Sequence, residues 1–176
     1  KKEKLQLLLP SEKFYIFYNI SWCKNRMLPT VLGIEFENII NAKPADTLLE
    51  KIKESDLVIY CPSNPLISID PILEVKGIYD EIKMSDSKKV AISPIVNDKA
   101  FKGPILNLMK LKGLELSVLG VAEYYKTKAD FLLIDNSDKH YEKRIKELGL
   151  EPIITNINMI SKDVSFNISK IILDLL

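Results

Sequence analysis

The chain alternates short, uninterrupted apolar runs with segments whose apolar residues recur three and four positions apart, the spacing of one helix face. Leu57-Val58-Ile59-Tyr60, Val90-Ala91-Ile92, Phe131-Leu132-Leu133-Ile134 and Ile153-Ile154 are runs of the first kind. Such runs predict strands covered on both faces, as in parallel sheets, where half-solvated antiparallel strands would alternate. Between them, Leu48, Leu49 and Ile52 stripe a helix ending near Glu54, Ile78 to Met84 predicts a second, and Ile105 to Leu111 a third before a turn at Gly113. Tyr141, Ile145 and Leu148 mark another helix face. The last helix carries Val164, Ile168, Ile171, Ile172 and Leu175 on one stripe, with Ser161 placed to cap it.

Upstream the rhythm differs. Phe14 to Tyr18 is aromatic and β-branched, and Ile34-Glu35-Phe36-Glu37 alternates, so both predict strands, punctuated by Pro29 and Gly33. Trp22 and Cys23 lie between them and read as packing residues. The fold class predicted is therefore α/β: a single domain over residues 1–176, a three-layer α/β/α Rossmann-like, mostly parallel sheet with an N-terminal β-hairpin excursion.

Composition narrows the function classes. At 176 residues and 47% hydrophobic, the chain has apolar material for one core, and 25 basic against 24 acidic residues leave no broad electrostatic attraction for nucleic acid. Leu5 to Leu9 is too short to cross a bilayer, and no export signal follows it, so a cytoplasmic location is expected. Two cysteines, Cys23 and Cys61, form no disulfide framework, and Cys61 at a strand end reads as a buried reduced thiol. The chain opens on Lys1 rather than methionine, which fits a piece of something longer.

Parallel strands deliver their carboxyl ends to one edge of the sheet, and ligands sit in the crevice there. The segments after the four runs are Pro62-Ser63-Asn64-Pro65, Ser93 to Asp98, Asp135 to Asp138 and Thr155 to Asn158. They offer hydroxyls and carboxamides, with Lys99 and Lys102 as the nearest cations, which suits holding a phosphate or nucleotide. Ser63 and Asn64 also have a plain structural reading, a turn hydrogen-bonded to its own backbone. Asp138 reads as a helix cap, Lys102-Gly103-Pro104 as a helix entry, and His140, beside Lys139, as part of a charged helix start rather than a catalytic group.

The order Asp56-Leu57-Val58-Ile59, Pro62-Ser63-Asn64-Pro65, Ser68-Ile69, Pro71-Ile72-Leu73, Gly77-Ile78, Ser93-Pro94-Ile95-Val96, Lys102-Gly103-Pro104, Gly120-Val121-Ala122, Tyr125, Asp130, Ile134-Asp135 and Met159 resembles the CofD family. The resemblance implies a 2-phospho-L-lactate transferase of coenzyme F-420 biosynthesis, moving a phospholactyl group from a guanosine-diphosphate-activated donor to the deazaflavin precursor Fo and releasing GMP. It implies magnesium as cofactor, a phospholactate or phosphoenolpyruvate form of the donor, and a homodimer with the Phe14 to Tyr18 strand as a buried edge. By motif, Ser63, Asn64, Ser93 and Lys102 are the substrate-binding candidates, and no catalytic or metal-binding residue is assigned.

The family's Gly-rich loop and acidic metal region are not found in this sequence, which holds 6 glycines and no glycine cluster. The chain therefore resembles the C-terminal portion of such a protein and is expected to be inactive alone. Cys61 and Asp70 stand where relatives carry glycine. An alternative is a noncatalytic nucleotide-binding or regulatory relative of the gluconeogenesis-factor type.

Overall fold

The computed structural model of the chain describes residues 5–8, 15–17, 33–100 and 105–176. Three short strands come first: β1 (Leu5–Leu8), β2 (Tyr15–Phe17) and β3 (Gly33–Phe36). They form an antiparallel sheet in the order β2-β1-β3, with Leu7 opposite Ile16 on one side and opposite Ile34 on the other. The hairpin excursion exists, but its central strand is β1. The two strands predicted from the aromatic and alternating runs do not pair with each other, and each pairs with the leucine-rich run. Trp22, Cys23, Phe14 and Tyr18 lie outside the described residues.

The main sheet follows. Helix α1 (Leu48–Lys53) leads to β4 (Leu57–Tyr60), and a wide helical turn over Pro65–Ile69 runs straight into α2 (Asp70–Leu73). Then come α3 (Ile78–Met84), β5 (Lys88–Ile92), the small pair β6 (Ile95–Val96) and β7 (Lys99–Ala100), α4 (Ile105–Leu111) and α5 (Val118–Tyr125). After β8 (Phe131–Ile134), a 3-10 segment over Asn136–Tyr141 enters α6 (Glu142–Glu147), and β9 (Glu151–Ile154) and α7 (Lys162–Leu173) close the chain. The four long strands are all parallel, in the order β4-β5-β8-β9. Every predicted strand of this sheet is present.

Strand alternation sorts the core into two layers. Tyr60, Ala91, Leu132 and Ile134 face one side, where they pack with residues of α3, α4, α5 and α6. Val90, Ile92 and Leu133 face the other, against Ile168 and Ile172 of α7, with Val164 and Leu175 packed around them. Ser161 caps α7 as the sequence predicts, its Oγ accepting the Val164 N–H at 3.4 Å.

Coverage is uneven at β4. Ile59 points to the α7 side and is 44% exposed, because β4 is the edge strand and α7 lies over β5 and β8. The expectation that all four runs are covered on both faces therefore fails here. Cys61, just beyond, is a free, exposed thiol rather than a buried one, since the chain has already left the sheet.

Gly120 shows how tightly α5 is seated. A Cβ there would stand 1.9 Å from the Glu115 carbonyl oxygen and 2.7 Å from Met109 Cε, so only glycine permits this approach.

Candidate functional site at the carboxyl edge of the sheet

Because β4, β5, β8 and β9 are parallel, the segments that follow them leave at one edge. Hydrogen bonds tie three of these segments together. Ser93 N–H donates to Leu133 O at 2.9 Å, and Thr155 N–H to Ile134 O at 3.0 Å. Asp135 Oδ2 accepts the Ile157 N–H at 3.3 Å while its Oδ1 accepts from Ser137, capping the 3-10 segment.

The segment after β4 is a built structure and not a loose turn. Asn64 Oδ1 accepts the Leu66 N–H at 3.0 Å, and Pro65 occupies the first helical position, where a missing N–H costs nothing. Asn64 O accepts from both Ser68 N–H at 3.0 Å and Ile69 N–H at 3.3 Å, the widened spacing of a π-type turn. Such turns are rare and recur at functional sites. The structural reading of Asn64 is thus realised for its oxygen. Its amide nitrogen is different: Nδ2 is buried with no hydrogen-bond partner among the described residues. A donor in that state has lost water without gaining an acceptor, a cost of about 1–3 kcal/mol unless a partner arrives.

Tyrosines on α5 hold this turn. Tyr124 donates its hydroxyl to Asp70 Oδ1 at 2.5 Å and also lies 3.3 Å from Pro65 O. Burial, then the Asp70 bond, pushes the Tyr124 phenol well above the ordinary tyrosine range, so it stays a donor. Tyr125 packs edge-on against Tyr124 at 4.8 Å between ring centres and 5.3 Å from Tyr60. Asp70 is therefore the acceptor that pins the turn to α5.

Ser93 is wholly buried. Its Oγ donates to Ile95 O at 2.8 Å and accepts the Ile95 N–H at 3.1 Å, so its hydroxyl shapes the entry to the β6–β7 pair. Between those strands Asn97 and Asp98 adopt φ of 50° and 56°, the left-handed turn residues of a tight hairpin. Asp138 reaches across to this turn. Both of its carboxylate oxygens accept the Asn97 N–H at 3.1 Å, and the side chain is fully buried.

That placement corrects the sequence reading, since Asp135 is the cap and Asp138 the clamp. Nothing in the local sequence distinguishes the two; only the fold brings Asn97 beside Asp138. His140 is exposed and packs on Tyr141, 4.1 Å between ring centres. Lys102 and the Gly103-Pro104 entry lie outside the described residues, and Lys99 is exposed on β7.

Magnesium is the cofactor the resemblance implies. Among the described residues, no group of three or more His, Cys, Asp or Glu side chains is arranged to hold a metal ion. The residues present do not fit a magnesium site of their own. Nor is any helix among them long and apolar enough to cross a membrane.

Parallel strands that feed polar, cross-tied loops onto one edge define a Rossmann-like α/β protein, the class in which ligands are held at that edge. The family model described as 2-phospho-L-lactate transferase CofD matches residues 18–171, and the chain belongs to that family. The 2-phospho-L-lactate transferase of Methanocaldococcus jannaschii is 43% identical over 162 residues, covering 92% of this chain and 49% of the relative. That of a Methanococcus maripaludis strain is 39% identical over 164 residues, covering 93% and 52%. The chain thus spans about half the length of the curated relatives it matches.

Two crystal structures of one Bacillus halodurans protein, a member of the UPF0052 family, share the fold. Their TM-scores are 0.65 and 0.64 at 17% and 16% identity, over 98% of this chain and 59% of theirs.

Proposed function

We propose that this chain is the donor-binding portion of a 2-phospho-L-lactate transferase, and that Asn64 presents its unpartnered amide to the nucleotide-activated donor. The observation that carries the reading is that amide: a buried donor without an acceptor among the described residues, on a π-type turn at the carboxyl end of β4. Membership of the CofD family supplies the reaction class. Ser63, half-buried beside Asn64, offers a second polar contact on the same turn, and Ser93 acts by shaping the neighbouring segment. Lys102 is assigned to the donor phosphates on motif alone.

In the proposed reaction, an oxygen of an Fo hydroxyl forms a bond to the phosphorus carrying the lactyl group, and the bond from that phosphorus to GMP breaks. The hydroxyl proton passes to solvent, and no oxidant is involved. A phosphoenolpyruvate-bearing donor would follow the same course. Catalysis of such a substitution is mostly positioning and neutralisation of oxygens that gain charge. This chain's share is positioning: Tyr124 and Asp70 fix the turn, and the turn fixes Asn64. Magnesium would supply the charge neutralisation, with ligands from the part of the protein that the longer relatives hold. A cytoplasmic homodimer joined at the β2 edge completes the proposal.

The test separates the two halves of the Asn64 side chain. Asn64→Asp keeps the oxygen that caps the turn and replaces the amide by an acceptor. Guanosine diphosphate titrated into wild type and variant by calorimetry is expected to bind the variant at least ~10-fold more weakly, about 1.4 kcal/mol, with Tm within about 2 °C. Identical isotherms would remove Asn64 from the donor site.

A further inference from the structure

At the opposite edge of the sheet, beside the amino ends of β5, β8 and β9, a cavity of about 280 Å³ opens next to α3 and the end of α5. Its walls bring together Lys83, Lys89, Lys126 and Lys128 with Tyr79 and Asp130. The charge there is largely uncompensated. Lys89 Nζ donates to the carbonyls of Ser85 and Ser87, both at 2.8 Å, and Lys128 Nζ to Tyr124 O at 2.9 Å while lying 4.2 Å from the Tyr124 ring centre. Those partners are neutral. Lys126 pairs with Glu123 at 2.5 Å, and Asp130 is engaged by the Lys89 N–H at 2.8 Å. No carboxylate among the described residues forms an ion pair with Lys83, Lys89 or Lys128.

Burial lowers the pKa of Lys128, and the Asp70 carboxylate opposes that shift without cancelling it.

The structure assigns this pocket to a small, multiply charged anion of the phosphate class, held by Lys83, Lys89, Lys126 and Lys128. The cavity is at the small end for ligand sites, room for a phosphate or pyrophosphate group and not for a whole nucleotide. Most of its wall stands at the amino ends of the strands, whereas the Asn64 turn follows the carboxyl end of β4; Lys128 alone borders both, lying over the Tyr124 ring whose hydroxyl is 3.3 Å from Pro65 O.

The experiment is thermal unfolding of the 176-residue chain in sodium phosphate against sodium chloride of equal ionic strength, followed by an amide ¹H–¹⁵N shift map with phosphate. At about ten times its dissociation constant, phosphate is expected to raise Tm by about 3 °C over chloride. Shifts are expected at Lys89, Lys126 to Asp130 and Gly149. The variant carrying Lys83→Ala and Lys126→Ala, both exposed positions, folds and is expected to bind phosphate at least ~10-fold more weakly, since two phosphate-facing charges are gone. Equal Tm in the two salts, unchanged binding by the variant, or shifts at Ser63 and Asn64 instead would each overturn the assignment.

Discussion

Two carboxylates at the rim act through the groups they hold. Asp138 is fully buried and its two oxygens take one N–H, that of Asn97. Burial, opposed by that bond, raises its pKa. A carboxyl with a folded pKa above its unfolded one holds its proton more tightly when folded, so stability is fullest at low pH and declines as pH rises from the unfolded value through the folded one. Asp138→Asn keeps an acceptor for Asn97 without the charge, and urea midpoints measured from about pH 3.5 upward are expected to lose that decline. A variant whose midpoints track wild type throughout would remove Asp138 as the source. Asp138→Ala strands the Asn97 N–H and is expected to cost about 1–3 kcal/mol in the same measurement. Tyr124→Phe leaves Asp70 without its hydroxyl partner and is expected to cost about 2 kcal/mol, together with weaker guanosine diphosphate binding because the Asn64 turn loosens.

Among the elements, α5 gives the clearest test of packing against propensity. Glycine to alanine within a helix ordinarily gains about 1 kcal/mol. At Gly120 the added Cβ meets backbone at 1.9 Å, so Gly120→Ala is expected to lower stability by about 3 kcal/mol. A rise in Tm would show that α5 sits further from Glu115. The elements also divide by how they were written in the sequence. The strands β4, β5, β8 and β9 were legible as continuous apolar runs, which burial on two faces explains for β5 and β8 but not for the edge strand β4. Helix α5 was not, since Val118, Leu119, Gly120, Val121, Ala122, Tyr124 and Tyr125 are all buried and leave no polar face to mark the period. The Pro65 turn and α2 were hidden for another reason: Pro65 and Pro71 read as breakers, whereas both sit in a first helical turn. Strand β1 was missed because its leucines lack the β-branching that marks a strand, and one of its two partners, β3, is distant in sequence.

For the whole molecule, the sheet and its rim were readable as architecture, and the CofD resemblance was carried by motifs that the family match bears out. What the sequence could not show was division of labour at the rim, with Ser93 spent on the backbone, Asp138 on a hairpin and the Asn64 amide without a partner among the described residues. The Asp138 role depends on a contact 41 positions away, and the Ser93 role on which of several local turns its hydroxyl closes. Since the chain spans about half of its curated relatives and its described residues offer no metal cluster, it is expected to transfer no phospholactyl group to Fo on its own, even with magnesium. Product detected by mass spectrometry would contradict that. The central claim, that the turn after β4 is the donor rim, is tested most directly by an amide shift map of the chain titrated with guanosine diphosphate. Saturable shifts confined to Cys61 through Ile69 and Ser93 through Asn97 are the predicted result; shifts absent there, or confined to the lysine pocket at the opposite edge, would contradict it.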